Sequence, residues 1–279
     1  MKFIKKLATT LAISGLCLSG AAQAAVTQVE GQAGGGIVPW ALLSSGKPTV
    51  SFTWVDTGDY TLSSVALQAS FADKIELSFA RMTFDAGNVC PGGECIGQID
   101  IDVIGAKVKL MDMNGMMPQV ALGIQYKETN GNQAFDNFLN GQGADDSDTE
   151  VYVAATSIIP IGARKLLVNG TLRFTRANQL GILGFKSKWE DDYEAQFETS
   201  IGMFLNDKTV IGVEYRMKPD NINGLKEQDW GDLFFAYFPT KNMSITAAMA
   251  FFGDIVEEAQ TGETGRDQRG LYLQIQGNF

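Results

Sequence analysis

The sequence contains no histidine. That removes the side chain that titrates nearest neutral pH, the usual zinc ligand, and both the Ser-His-Asp and Cys-His forms of nucleophilic catalysis. Beyond residue 24 there is no uninterrupted apolar run long enough for a spanning helix, which needs about 20 mostly apolar residues. Basic surplus is also missing. The 22 Lys and Arg face 32 Asp and Glu for a net charge of −10, so a nucleic-acid partner, bound by displacing counterions from phosphate, is excluded. Cysteines number three. Cys17 follows the bulky Leu16, which argues against lipid attachment. Cys90 and Cys95 enclose Pro-Gly-Gly-Glu, and in an exported chain such a close pair is expected to form a disulfide that pins a loop tip.

Residues 1–24 have the three parts of a cleaved signal peptide. Lys2, Lys5 and Lys6 precede an apolar stretch from Leu7 to about Leu18, and Ala22-Gln23-Ala24 supplies the small-x-small site. The apolar stretch is too short to span a bilayer. Residues 25–48 follow, with Gly34-Gly35-Gly36 and then Ile37-Val38-Pro39-Trp40-Ala41-Leu42-Leu43. Two placements stay open for this segment: a plug inside a barrel, or a periplasmic arm.

From residue 49 the chain alternates. Val65, Leu67, Ala69 and Phe71 are spaced by two, with mostly polar residues between, and after Ala72-Asp73-Lys74 the pattern resumes at Ile75, Leu77 and Phe79. One apolar and one polar face per segment is the signature of half-buried strands. Twelve are expected: 49–57, 61–72, 74–85, 98–111, 118–128, 150–159, 164–176, 193–205, 209–218, 230–239, 243–252 and 269–279. Most are long enough to cross a bilayer at a tilt, a span of roughly 9 to 11 residues. Short turns near Asp73, Gly115, Gly162, Asn206 and Thr240 interleave with longer connections. If the chain enters from the periplasm, every outward strand carries an aromatic near its outer end: Trp54, Phe79, Tyr126, Phe174, Tyr215 and Phe251. Phe71, Tyr237 and Phe279 form a sparser inner ring. Two aromatic girdles around an apolar band indicate two membrane interfaces.

The last strand alternates Leu271, Leu273, Ile275, Gly277 and Phe279 with Tyr272, Gln274, Gln276 and Asn278. Leu273, Ile275 and Phe279 resemble the terminal signal that bacterial outer-membrane proteins present to the barrel-assembly machinery; Gly277 departs from the usual large residue. The chain thus resembles single-chain outer-membrane β-barrels of the porin-like superfamily. The resemblance implies an all-β, closed antiparallel transmembrane barrel over 49–279, in the outer membrane of a Gram-negative bacterium. Membrane lipid and lipopolysaccharide would surround it. Phospholipases, deacylases and proteases of this architecture rely on His, so no enzymatic activity is expected.

With the apolar set facing lipid, the lumen is expected to receive Glu76, Asp100, Asp102, Lys107, Lys109, Lys127, Arg173, Glu194, Glu198, Glu214, Arg216, Lys218 and Asp232. The apolar phase shifts between Val103 and Ala106, so a bulge near Gly105 is expected. Both signs in near balance fit either a solute filter or structural ion pairs. The outer loops are acidic, at Asp145, Asp146, Asp148 and Glu150, at Glu190, Asp191 and Asp192, and at Asp254, Glu257, Glu258 and Glu263. Such a vestibule attracts cations.

Gly46-Lys47 lacks the first glycine of a phosphate loop, and Val151 stands where an EF-hand loop needs Gly. Neither a metal nor a cofactor is expected. The function expected is passive diffusion of small polar or cationic solutes. Two rivals are a non-conducting surface-interaction barrel and a hydrophobic-solute transporter with an N-terminal plug, in which Phe135, Phe138, Leu180 and Ile182 would capture cargo.

Overall fold

The computed structural model describes residues 25–279 apart from 88, 91, 92, 116, 224, 226 and 256–266. The expected signal peptide and the loop acids Glu257, Glu258 and Glu263 lie outside the described residues. A two-stranded hairpin comes first, β1 (Val26–Thr27) with β2 (Ala33–Gly34). Twelve strands then form a closed antiparallel barrel: β3 (Thr49–Asp56), β4 (Thr61–Phe71), β5 (Ile75–Asp85), β6 (Gln98–Met111), β7 (Gln119–Asn130), β8 (Ser147–Ile161), β9 (Arg164–Thr175), β10 (Glu194–Asn206), β11 (Thr209–Arg216), β12 (Trp230–Thr240), β13 (Met243–Gly253) and β14 (Gln268–Asn278). Each strand pairs with its sequence neighbours, and β14 closes on β3 with Leu273 opposite Trp54. Closure leaves no unpaired edge, which is what hydrocarbon requires of a spanning sheet.

The alternation places side chains as hydropathy dictates. Phe52, Val65, Leu67, Phe79, Leu122, Ile124, Phe197, Val213, Leu233, Ile275 and their row-mates are exposed on the outside. Their row-skipping neighbours turn inward and are buried, so this barrel has a filled interior. Cys90 and Cys95 are disulfide-bonded in the loop after β5.

A helix, α1 (Gln133–Gln142), stands in the loop after β7, where the sequence pattern suggests only a connection. Its signals are local. Asn132 caps the start by accepting from the Phe135 N–H, Phe135 and Leu139 bury one face, and Gly143 ends the helix in the left-handed region at φ 67°. Strand β8 also begins at Ser147, not 150, so Asp148 joins Glu150 in the wall.

Two of the expected lumen residues face the other way. Strand β6 keeps an unbroken register against β5 from Gln98 to Val108, so there is no bulge at Gly105. Ile99, Ile101 and Val103 are the buried, inward residues, and Asp100 and Asp102 lie on the outer face. There Asp102 accepts from Arg81 (Nε 2.7 Å) and Asp100 from Thr83 (2.7 Å). The register gives the reason. Phe79, Ile104 and Tyr126 form one outward row, and Arg81, Asp102 and Glu128 form the next row toward the outer strand ends. The wall continues past the aromatic girdle, and outward side chains beyond it meet water and headgroups, not hydrocarbon.

Candidate functional site

Residues 25–43 of the N-terminal segment are all buried inside the barrel, along with Ser44. The segment is therefore a lumen plug. A plug of irregular backbone brings polar groups that strands cannot satisfy, so the wall must supply partners. Glu76 on β5 accepts the N–H groups of Ala33 (2.9 Å) and Ser44 (2.7 Å). Lys107 on β6 pairs with Glu76 (3.2 Å) and donates to the carbonyls of Ala33 (2.7 Å) and Leu42 (3.1 Å). Glu214 on β11 accepts the Ile37 N–H at 2.9 Å. Trp40 Nε1 donates to Ser200 (2.8 Å), Thr156 accepts the Ala41 N–H (2.8 Å), and Thr171 donates to the Pro39 carbonyl (2.8 Å).

The glycine triplet makes this approach possible. A Cβ on Gly34 would stand 2.3 Å from the Val38 carbonyl oxygen, and one on Gly35 would stand 1.9 Å from Glu214 Oε1. The first contact is with backbone and cannot swing away. Gly34→Ala is accordingly expected to loosen the plug while the barrel still closes. Single-channel recording should show more frequent openings than in the unaltered protein, with unchanged heat-modifiable migration on gels.

A second group of charges sits deeper. Glu30 of the plug is enclosed by Lys127 from β7, Arg173 from β9 and Arg216 from β11. Arg216 grips it as a fork, NH1 to Oε2 at 2.6 Å and NH2 to Oε1 at 3.2 Å. Such paired, charge-assisted bonds are among the stronger contacts of a protein interior. Arg173 also binds Glu198 (Nε to Oε1, 2.5 Å) and Glu150 (NH1 to Oε2, 2.7 Å), and lies over the Tyr152 ring. Lys127 completes the group by pairing with Glu150 at 3.0 Å. All six ionic side chains are at most 3% exposed.

Of the thirteen expected lumen residues, Lys127, Arg173, Glu198 and Arg216 meet in this group, Glu76 and Lys107 hold the plug separately, and Glu214 lies directly across from Asp232. Lys109 is at the opposite end of β6, paired with Asp73 and Asp112 at the turns. Glu194, half-buried at the start of β10, accepts from Gln196. Lys218 lies just past β11, 3.9 Å from Glu227 at the mouth. Burial pushes the Glu227 carboxyl up to about 7 and the Lys218 ammonium down to about 7, because both lose water. Sequence reasoning missed Glu30, which lies in a segment without periodicity, and, although it began a strand at Glu150, counted that residue with the acidic loop and not with the lumen.

The outer end of the lumen is greasy and roofed. The loop at 177–185 folds inward, burying Leu180, Ile182, Leu183 and Phe185, and the Leu180 carbonyl accepts from Lys127 at 3.2 Å. Beneath it lies a cleft with about 20 Å³ of free space, room for little more than a water, lined among others by Tyr60, Leu62, Phe84, Ile182, Trp230 and Phe252.

The fold is shared with solved outer-membrane barrels. A KdgM porin is 11% identical, covers 83% of this chain and 99% of its own, and superposes with a TM-score of 0.50. The outer membrane protein Omp33 of Acinetobacter baumannii is 10% identical over 84% of this chain and 98% of its own, with a TM-score of 0.47. LpxR from Salmonella typhimurium is 10% identical over 83% and 100%, also at 0.47. Among curated proteins no sequence relative matches. A closed, twelve-stranded antiparallel β-barrel is thus established, and across residues 23–276 the sequence matches the model of one family: the chain belongs to DUF3034, described as a protein of unknown function.

Proposed function

We propose that this protein is a plugged outer-membrane channel in which small polar solutes diffuse down their gradient when the N-terminal segment leaves the lumen. The carrying observation is the burial of residues 25–44 among wall side chains that hold the plug through hydrogen bonds and ion pairs, with Val29, Ile37, Val38, Trp40 and Leu42 packed into the apolar part of the interior. Hydrogen bonds between neutral groups exchange for water at about 1 kcal/mol each, while the Glu30 ion pairs and the apolar contacts of the plug keep it seated at rest. Among the described residues the plug shares no strand pairing with the wall, so the wall can stay closed when the plug is displaced. The channel reading agrees with the porin named above, whose fold it shares. No catalytic role is assigned: Glu76, Glu150 and Glu198 are each engaged by a base, and Glu214 accepts from the plug and from Ser200.

In this reading the signal peptide directs export to a Gram-negative outer membrane, and the terminal Phe279, exposed beyond β14, is offered to the assembly machinery. Lipopolysaccharide meets the outward row of Arg81, Asp102 and Glu128. The acidic outer loops weigh less on ion preference than their sequence implies, because Asp145 pairs with Lys186 and Asp191 with Arg176. Charge inside the lumen sets the preference instead.

A second reading has a specific observation behind it. Aromatic and aliphatic side chains line the cleft under the 177–185 loop, and an apolar solute entering from outside would widen it by lifting that loop and would leave past the plug. The test is reconstitution of the folded protein in planar bilayers and liposomes. Discrete voltage-dependent current steps and swelling with small sugars and amino acids support the polar channel. Uptake restricted to apolar compounds favours the second reading. A folded barrel without either leaves a structural, surface-interaction role.

A further inference from the structure

The group around Glu30 has a charge balance that depends on the plug. The wall contributes three cations, Lys127, Arg173 and Arg216, and two anions, Glu150 and Glu198. Glu30, carried by the plug, supplies the third anion. When the plug leaves, one positive charge in the narrow, now hydrated lumen has no counterpart, and such a surplus focuses a field that draws anions to it. The vacated position is shaped for one chemistry. Arg216 presents a planar fork that already holds two carboxylate oxygens, with Lys127 and Arg173 converging on the same group. Guanidinium forks select planar two-oxygen anions.

We infer that the open lumen carries a carboxylate-binding site made by Lys127, Arg173 and Arg216, that Glu30 occupies it as an internal stand-in while the channel is closed, and that small carboxylate solutes compete with Glu30 for it. The inference rests on the plugged-channel reading and names its solute class. A carboxylate solute then does two things at once: it restores the charge balance that plug departure disturbs, and it holds the plug out. Selective binding to the open state shifts the population toward that state.

The experiment uses full-length protein in planar bilayers, with folding checked by heat-modifiable migration. Succinate is the probe and mannitol the uncharged control. Succinate should raise the open probability of the unaltered protein by roughly tenfold over mannitol. Glu30→Gln should be open without succinate, with a reversal potential in a KCl gradient displaced toward chloride, and succinate should reduce its chloride current. Adding Arg216→Gln to that variant should remove most of both effects. A conducting Glu30→Gln channel with no chloride preference and no response to succinate overturns the carboxylate site while leaving the channel standing. Absence of current from both folded proteins under all conditions overturns the channel reading and the site with it. If Glu30→Gln does not fold, the succinate response of the unaltered protein decides: no rise over mannitol rejects the site.

Discussion

Deleting residues 25–44 is expected to convert a largely closed barrel into a steadily conducting one, with mean current through the folded protein raised at least tenfold. The wall does not need the plug in order to close, since all twelve strand pairings are between wall strands. What the deletion removes is the material in the lumen, and it leaves Glu76, Lys107, Glu214 and the Arg216 fork facing water that can satisfy them. Twelve strands lie between the eight whose interior is filled by side chains and the sixteen to eighteen of open porins, so a passage should remain once the plug is gone. Planar-bilayer recording on refolded protein checks this, with Gly34→Ala falling between the two extremes. If the shortened barrel folds but carries no more current than the full chain, the obstruction is the 177–185 loop, and the N-terminal segment does not gate the lumen.

The wall was readable because period-two alternation and strand length are imposed by the bilayer itself. Hydrocarbon outside and polarity inside force the same pattern on Val65 to Phe79 as on Leu271 to Ile275. The same rule explains where reading failed. It equates polar with inward only within the membrane, and Asp100 and Asp102 lie beyond the girdle row of Phe79, Ile104 and Tyr126, where water and headgroups reverse the preference. Inward positions there are apolar, as Ile99, Ile101 and Val103 show, because they pack against the roofed outer end of the lumen. Glu30 left no trace of another kind. A plug takes its conformation from the cavity that holds it, so its sequence follows neither helical nor strand periodicity. Only the glycine triplet hinted at close backbone approach, and hints of that sort do not say which wall is approached. Glu150 was hidden by its neighbours Asp145, Asp146 and Asp148, which make the start of β8 look like one solvated run.

Arg173→Met should be the most damaging single change in the barrel. Arg173 is 1% exposed and holds Glu198, Glu150 and the Gln125 carbonyl oxygen at 2.5 to 2.7 Å. Methionine fills part of the volume but removes the charge, leaving Glu30, Glu150 and Glu198 facing Lys127 and Arg216 alone. Breaking a buried pair by deleting one partner costs about 3 to 5 kcal/mol, chiefly through the charge left behind. If that account holds, removing an acid as well should restore balance: Arg173→Met with Glu198→Gln is expected to recover more than half of the loss. The outward pair provides the control, since Arg81 is water-exposed and Arg81→Ala should leave stability unchanged within error. Urea titrations of refolded protein, read by the loss of heat-modifiable migration, give all four values. Recovery in the double variant would show that the cost is electrostatic; an additive loss would mean that Arg173 acts through packing against Tyr152, and the charge-balance argument for the lumen would fall.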